Sequence, residues 1–450
     1  MANTQKLVLW IAVLASFIAF LDGSVINVAL PAISDELGGG LTLKQWVVDA
    51  YLVTLGSLML IAGSLSDLFG RKKVLAVGLW GFGITSLLCA FAPSGNFLIV
   101  DRALQGIAGA LLVPSSLALI MSVFPGGKQG KAIGTWTAWT GIAFIIGPLL
   151  GGFLVDIGSW RLIFAINVLP IAVTLWLLRS LDLKEKIGKA KVDFIGAGLG
   201  ALGLGGPVYA LIEQPNYGWS NPLIFIPLIG GLAAFAGFLI YESRTTYPML
   251  PLDLFKARNF LYGNLATVAI YGSLSLVTFL LAVFVQQVGG YSAFQAGLTL
   301  LPVTIIMFLL SPRFGSLADK HGPRMFMTLG PIISACGILW LVRTEQNINF
   351  WSQLFPSIVV FGIGLSVTVA PLTTAVLSAV DRKRSGIASA INNAMARVAG
   401  LVTIATLGFV IGAEVSLNGF HKGAVYMSAL LALGGVISFV GIRNQAKAQP

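Results

Sequence analysis

The sequence predicts an all-α integral membrane protein of about fourteen transmembrane helices, two six-helix bundles plus two inserted helices, with both termini cytoplasmic. Three observations predict it. Hydrophobic residues make up 56% of the chain and charged residues only 10%, with a mean hydropathy of +0.89; soluble domains carry about 25% charged residues. Water cannot host that much apolar surface, so lipid is the solvent. Apolar runs of about 20 residues recur throughout, each long enough to cross a hydrocarbon core. Finally, Gly63-Ser64-Leu65-Ser66-Asp67-Leu68-Phe69-Gly70-Arg71-Lys72 is echoed by Gly315-Ser316-Leu317-Ala318-Asp319-Lys320-His321-Gly322-Pro323-Arg324, each between two long apolar runs. A repeated acidic-then-basic turn marks internal duplication, and two similar half-bundles that rock are the usual machinery of a secondary transporter. Gly63 and Gly315 lie 252 residues apart, room for about eight spans per period rather than six.

Taken in order, the apolar runs fall near 7–32, 45–65, 73–93, 97–123, 130–155, 160–180, 193–213, 222–242, 259–288, 294–316, 324–343, 348–376, 385–412 and 424–442. The first follows Lys6 but stays apolar from Val25 to Pro31 and meets no small-residue cleavage site, so an uncleaved span is expected. The second and third flank the first copy of the repeated turn. The fifth is bent by Pro148, and Gly147 and Gly151 give it a small-residue contact surface. The seventh and eighth are interrupted by Gly and Pro. A charged linker, Leu181 to Val192, carries Lys184, Glu185, Lys186, Lys189 and Lys191 and separates the first six spans from the rest; Glu242 to Asn259 separates the inserted pair from the last six. The expected organisation is a bundle over 1–180, a linker with two extra helices over 181–258, and a second bundle over 259–450. No stretch is long enough for a soluble domain.

Lys and Arg set the orientation. With the N-terminus inside, 22 of the 28 basic residues fall in cytoplasmic loops, among them Lys128, Arg382, Lys383 and Lys447. Lys44, Arg161, Arg343 and Lys422 fall outside, and Arg102 and Arg397 lie within spans. The net charge of +11 is dealt out between spans rather than gathered on a domain, which excludes a nucleic-acid partner. Cys89 and Cys336 each sit in an apolar run and read as small buried hydrophobes; no disulfide framework or metal site is expected. His321 and His421 fall in connecting segments. With no histidine in a span and no catalytic cluster, an enzyme is not expected.

Ionisable groups within the bilayer cost at least about 2.5–3.5 kcal/mol and are functional candidates by default. Asp22 in span one and Arg102 in span four have overlapping depths. Two readings stand for Asp22: a static ion pair locking two helices, or a carboxylate that gains and loses a proton as a cavity switches sides. Arg102 shares a helical face with Gln105, Gly106 and Gly109. Asp49 and Asp101 read as solvated helix ends. Arg397, with Asn392 and Asn393 about a turn away, is equally a structural or a functional cation. Trp136 and Trp139 either line an aromatic cavity for flat or cationic ligands or face lipid and neighbouring helices. Asp67 and Asp319 are placed to accept hydrogen bonds from a helix N-terminus in the other half, a latch on the cytoplasmic side.

These residues resemble the major facilitator superfamily, and specifically its fourteen-span drug:proton antiporter branch. Leu21-Asp22-Gly23-Ser24-Val25-Ile26-Asn27-Val28-Ala29-Leu30-Pro31 is similar to that branch's first-span motif, Gly63 to Lys73 to the superfamily's loop motif, and Leu98 to Gly109 to the fourth-span motif. Gly141 with Gly147-Pro148-Leu149-Leu150-Gly151-Gly152 is similar to the fifth-span motif of antiporters. The chain departs from these patterns at Leu68, Pro323 and Leu162. The resemblance implies alternating access and proton-driven export of amphipathic small molecules across the cytoplasmic membrane, with no cofactor and a monomer as the working unit. It implies that Asp22 and Arg102 serve proton coupling. Candidate cavity residues are Asn27, Gln105, Trp136, Trp139, Asn393 and Arg397; candidate gating residues are Asp67, Gly70, Arg71, Gly147, Pro148, Gly151, Gly152 and Asp319. The alternative of the same fold is a proton-coupled symporter of sugars or organic anions. A receptor or scaffold would bind without transport and leave Asp22 and Arg102 without a role.

Overall fold

The computed structural model describes residues 3–124, 127–183, 192–381, 384–412 and 414–444. Lys184, Glu185, Lys186, Lys189 and Lys191 of the charged linker lie outside the described residues, as do Arg382, Lys383 and Lys447. Among the described residues the chain is helical without a β-strand, and 14 helices are long and apolar enough to cross a membrane. They are α1 (Thr4–Leu37), α2 (Gly40–Phe69), α3 (Arg71–Ala90), α4 (Gly95–Val123), α5 (Lys131–Ile157), α6 (Leu162–Arg179), α7 (Phe194–Tyr217), α8 (Pro222–Arg244), α9 (Arg258–Gln287), α10 (Ala293–His321), α11 (Pro323–Arg343), α12 (Phe350–Leu377), α13 (Ser385–Ile411) and α14 (Leu417–Gly441).

Several helices overrun the apolar runs that announce them, because their ends are set by caps rather than by hydropathy. Ser94 accepts from the Phe97 N–H at the start of α4, Asp193 from the Gly196 N–H at α7, and Ser416 from the Gly419 N–H at α14. Asn221 accepts from the Leu223 N–H ahead of α8, whose first residue is Pro222. Ser, Asp and Asn are the residues that satisfy a helix's first free donors, and Pro tolerates the first position. One consequence corrects the sequence reading: His321 and His421 lie in the terminal turns of α10 and α14, not in connections. Another correction concerns Cys336, which is exposed on α11 whereas Cys89 is buried. An apolar run facing lipid does not reveal which of its sides turns inward.

The chain forms two compact units, Met1–Met249 with Ser292–Phe294, and Leu250–Tyr291 with Gln295–Pro450. The inserted pair, α7 and α8, belongs to the first unit, where α7 docks on α2 and α8 packs on α7. Within the first unit α1 packs on α5, α2 on α4, and α3 on α4 and α6. Within the second, α9 packs on α13, α10 on α12, and α11 on α12 and α14. The second pattern is the first shifted by eight helices, so the duplication read from one turn extends through each bundle's internal pairing.

The repeated turn has a backbone cause. Gly70 follows α2 at φ 91°, ψ 134°, and Gly322 follows α10 at φ 86°, ψ 153°. A side chain is strained in this region, so both copies require glycine to end one helix and start the next. Close helix crossings use other glycines. A Cβ on Gly106 would meet the Tyr51 carbonyl at 2.3 Å, and one on Gly364 would meet Ser334 Oγ at 2.3 Å.

In the second unit an exposed clip joins Asp253 to Arg384. Nη2 of Arg384 donates to Oδ1 at 2.9 Å and Nη1 donates to Oδ2. The hydrogen bonds from Arg384 hold the Asp253 carboxyl below its ordinary range against slight desolvation. Being solvent-screened, the clip contributes at most about 1 kcal/mol. That contribution is present above the ordinary carboxylate range and is lost as pH falls through the lowered value.

Replacing Gly70 or Gly322 by Ala is expected to destabilise the protein by about 1–3 kcal/mol, read as a lowered thermal midpoint in detergent. Gly63→Ala, where an added Cβ meets nothing within 4 Å, is expected to leave the midpoint unchanged.

Candidate functional site

A buried polar network sits inside the first unit, centred on Asp22 of α1, which is 0% exposed. Arg102 Nη1 donates to Asp22 Oδ2 at 2.6 Å. Gln105 Nε2 and Asn167 Nδ2 each donate to Asp22 Oδ1 at 3.1 Å. Arg102 has further partners: Nη1 also donates to Gln105 Oε1 at 2.6 Å, and Nε donates to the Val47 carbonyl at 2.9 Å. Its guanidinium lies over the Tyr51 ring at 4.4 Å and the Phe164 ring at 5.7 Å. Ser86 Oγ accepts from Gln105 at 2.9 Å and from Asn167 at 3.4 Å. One ion pair thereby gathers polar groups from α1, α2, α3, α4 and α6.

Local structure explains the placement. Gly106 lets α4 approach the α2 backbone within a distance no side chain tolerates, which brings Arg102 onto the Val47 carbonyl. Asn167 lies where α6 is interrupted, between Leu162–Ala165 and Val168–Arg179. Pro170 has no N–H to donate back along the helix, so the turn around Ile166 and Asn167 opens. The amide at that break points to Asp22 instead of to lipid.

The structure brings together Asp22, Arg102 and Gln105 among the sequence candidates. Gln105, expected in a substrate cavity, is 0% exposed and belongs to the ion-pair network. Asn167, Ser86 and Tyr51 are additional members. Asn167 was visible as the lone amide in an apolar run; a serine or tyrosine in such a run carries no comparable signal.

Asp49 and Asp101 are corrections. Expected as solvated helix ends, they are 0% and 3% exposed. Helix α2 begins at Gly40 and α4 at Gly95, which sinks both carboxyls deeper than their apolar runs imply. Neither Asp49 oxygen nor Asp101 Oδ2 has a hydrogen-bond partner.

The remaining candidates have other neighbours. Trp136 is half-buried and donates to Ser16 Oγ at 3.0 Å, while Ser16 and Ser116 hydroxyls meet at 2.6 Å, so this indole joins α5 to α1 and α4. Trp139 is 42% exposed and packs edge-on against Trp10 at 5.4 Å. Asn27 is half-buried. Gly147 and Gly151 lie against α1, where a Cβ would meet Ser24 Oγ at 1.9 Å and the Val25 side chain at 2.3 Å. Pro148 lies within α5 between them, and a Cβ on Gly152 would meet the Ala293 carbonyl at 2.4 Å. Asp67 is exposed and pairs with Arg71 of its own turn at 3.1 Å; Asp319 is exposed. In the second unit Asn393 is exposed and donates to the Ser389 carbonyl of its own helix. Asn392, rather than Asn393, reaches across to Asn264 and Thr267 of α9. Arg397 is half-buried and acts electrostatically on Tyr271.

A family model described as Major Facilitator Superfamily matches residues 12–404. The chain is 33% identical over 449 residues to the methylenomycin A resistance protein of Bacillus subtilis (strain 168), covering 98% of this chain and 94% of that protein. It is 33% identical to the multidrug resistance protein Stp of Mycobacterium tuberculosis (strain CDC 1551 / Oshkosh), covering 92% and 78%. It is 31% identical to the tetracenomycin C resistance and export protein of Streptomyces glaucescens, covering 88% and 74%. Among solved structures, the peptide transporter POT in complex with sulfate has a TM-score of 0.70 at 15% identity over 97% of this chain and 94% of that one. The partially occluded, inward-open xylose transporter XylE from E. coli has a TM-score of 0.67 at 15% identity over 98% and 99%. At such identity these two likenesses concern the fold.

Arg102→Gln is expected to cost about 3–5 kcal/mol, because it strands the Asp22 charge in the interior. Asp49→Asn removes no partner and is expected to keep or raise stability. Thermal unfolding of the three proteins in one detergent checks both expectations.

Proposed function

We propose that this chain, which belongs to the Major Facilitator Superfamily, exchanges protons for amphipathic small molecules as it exports them across the cytoplasmic membrane. It is a multi-pass membrane transporter of the efflux type. Its relatives carry the names of drug and antibiotic resistance proteins and exporters over nearly the whole chain. Proton coupling is our reading, and the observation that supports it is the sealed Asp22–Arg102 pair.

In this arrangement Asp22 is paired with Arg102 and closed to water. Three donors reach it, and one of them, Arg102, is cationic. Tilting of the helices that withdraws Arg102 leaves a carboxylate in an apolar interior without its cation. Such a group takes up a proton rather than remain charged. Loss of the proton to the other side restores the pair and the closed network. Gln105, hydrogen-bonded to both partners, holds their geometry, and Asn167 ties the carboxylate to the break in α6. Alternating access would use the backbone contact of Gly147 and Gly151 with α1 as the surface that changes. Asp67, Arg71 and Asp319 would gate the cytoplasmic ends.

Purified protein in detergent is expected to release protons on addition of a transported lipophilic dye, and Asp22→Asn is expected to release none. Asp22→Glu, which keeps an ionisable group, is expected to release protons with a shifted pH profile. Equal release by wild type and Asp22→Asn removes Asp22 from the coupling. Accumulation of the dye by inverted vesicles under an inside-acid gradient is expected from export and opposite to uptake symport.

A further inference from the structure

We propose that the cavity where the inserted helix α7 meets α2 binds organic cations. It measures 590 Å³, within the range of small-molecule sites. It lies where the chain turns between α1 and α2 and again between α3 and α4, with Gly39 and Asn96 on its rim. Gly38 and Gly39 turn at φ 77° and 84°, and a Cβ on Gly38 would point into open space, so no side chain closes this rim there.

Three of its lining groups define the ligand. Trp46 of α2 and Tyr209 of α7 meet at 50° with their rings 5.9 Å apart. Glu213, one turn beyond Tyr209, lines the same space. Its Oε1 accepts from Trp46 Nε1 at 2.7 Å and its Oε2 from Asn216 Nδ2 at 3.0 Å. Both donors are neutral. They fix the carboxylate in place without cancelling its charge, and the ion pairs among the described residues do not include it. A held carboxylate beside two aromatic rings is the chemistry that recognises a weakly hydrated organic cation. An anion would be repelled, and a neutral ligand would leave the charge unused. A hard metal ion takes six or more oxygens, and no group of three metal-binding side chains occurs among the described residues.

The site exists because two helices were inserted: Tyr209 and Glu213 have no counterpart in either six-helix bundle. On the orientation set by Lys and Arg, the cavity opens to the outside. There a cationic substrate leaving the transporter, or one approaching from the medium, would be held. That consequence rests on the export reading; the binding itself does not.

The test is equilibrium binding of tetraphenylphosphonium to the purified full chain in lipid nanodiscs, where no gradient drives transport. Glu213→Gln keeps an acceptor for Trp46 and is expected to weaken binding about tenfold, the scale of one desolvated cation contact. Triphenylphosphine oxide, a neutral probe of similar shape, is expected to bind both proteins equally. A photoreactive phenanthridinium cation is expected to label peptides within 37–46 or 209–216, with that labelling lost in Glu213→Gln. Unchanged tetraphenylphosphonium affinity in the variant, equal loss of the neutral probe, or labelling confined to other segments overturns the proposal. Proton release by the Glu213→Gln protein is expected to persist, so failure of this site and failure of proton-coupled export are separate results.

Discussion

The Asp22–Arg102 ion pair is the constraint around which the first unit is arranged. Two opposite charges in a low-dielectric interior are tolerable only when paired and hydrogen-bonded throughout. Three features of the surrounding helices serve that condition. Gly106 brings α4 close enough to α2 for Arg102 to reach the Val47 carbonyl. The break in α6 frees Asn167 to face the carboxylate. Ser86 accepts from both amides that donate to Asp22. Remove the charges and these polar groups would be liabilities; with the charges present all but the Asn167 side-chain oxygen find partners among themselves.

The same energetics bound the proposed coupling. One elementary charge crossing 100 mV yields about 2.3 kcal/mol, whereas breaking a buried pair costs about 3–5 kcal/mol. A single proton at that potential does not cover the separation of Asp22 from Arg102. On the proposed mechanism, contacts made by the transported molecule, or by groups that replace Asp22 at the guanidinium, would have to supply the remainder.

Much of this was legible in the sequence because lipid makes certain residues conspicuous. A charge in an apolar run is costly, so Asp22, Arg102 and Arg397 stand out; a repeated turn is visible as letters, and its need for glycine at Gly70 and Gly322 follows from the backbone. Depth and direction were less legible. Asp49 lies deeper than its apolar run implies because α2 extends nine residues before it to Gly40, from a left-handed turn at Gly39 that hydropathy does not register. Gln105 was assigned to a cavity because spacing gives its helical face and not what covers that face. Cys336 and Trp139 turn outward and Trp136 partly inward, from runs of the same composition. When the solvent is as apolar as the core, composition cannot tell one from the other.

The contact of Gly147 and Gly151 with α1 has a consequence for how this bundle can move. Where side chains meet, an interface yields by degrees, one rotamer after another. Here two glycines with no side chains of their own rest on the Ser24 hydroxyl, the branched side chains of Val25 and Val28 and the Val25 backbone, so one of the two surfaces has no torsions to spend. Such a junction is engaged or parted, with nothing between, and that would give the protein a detent: a mechanical step that holds position until a whole increment of force arrives.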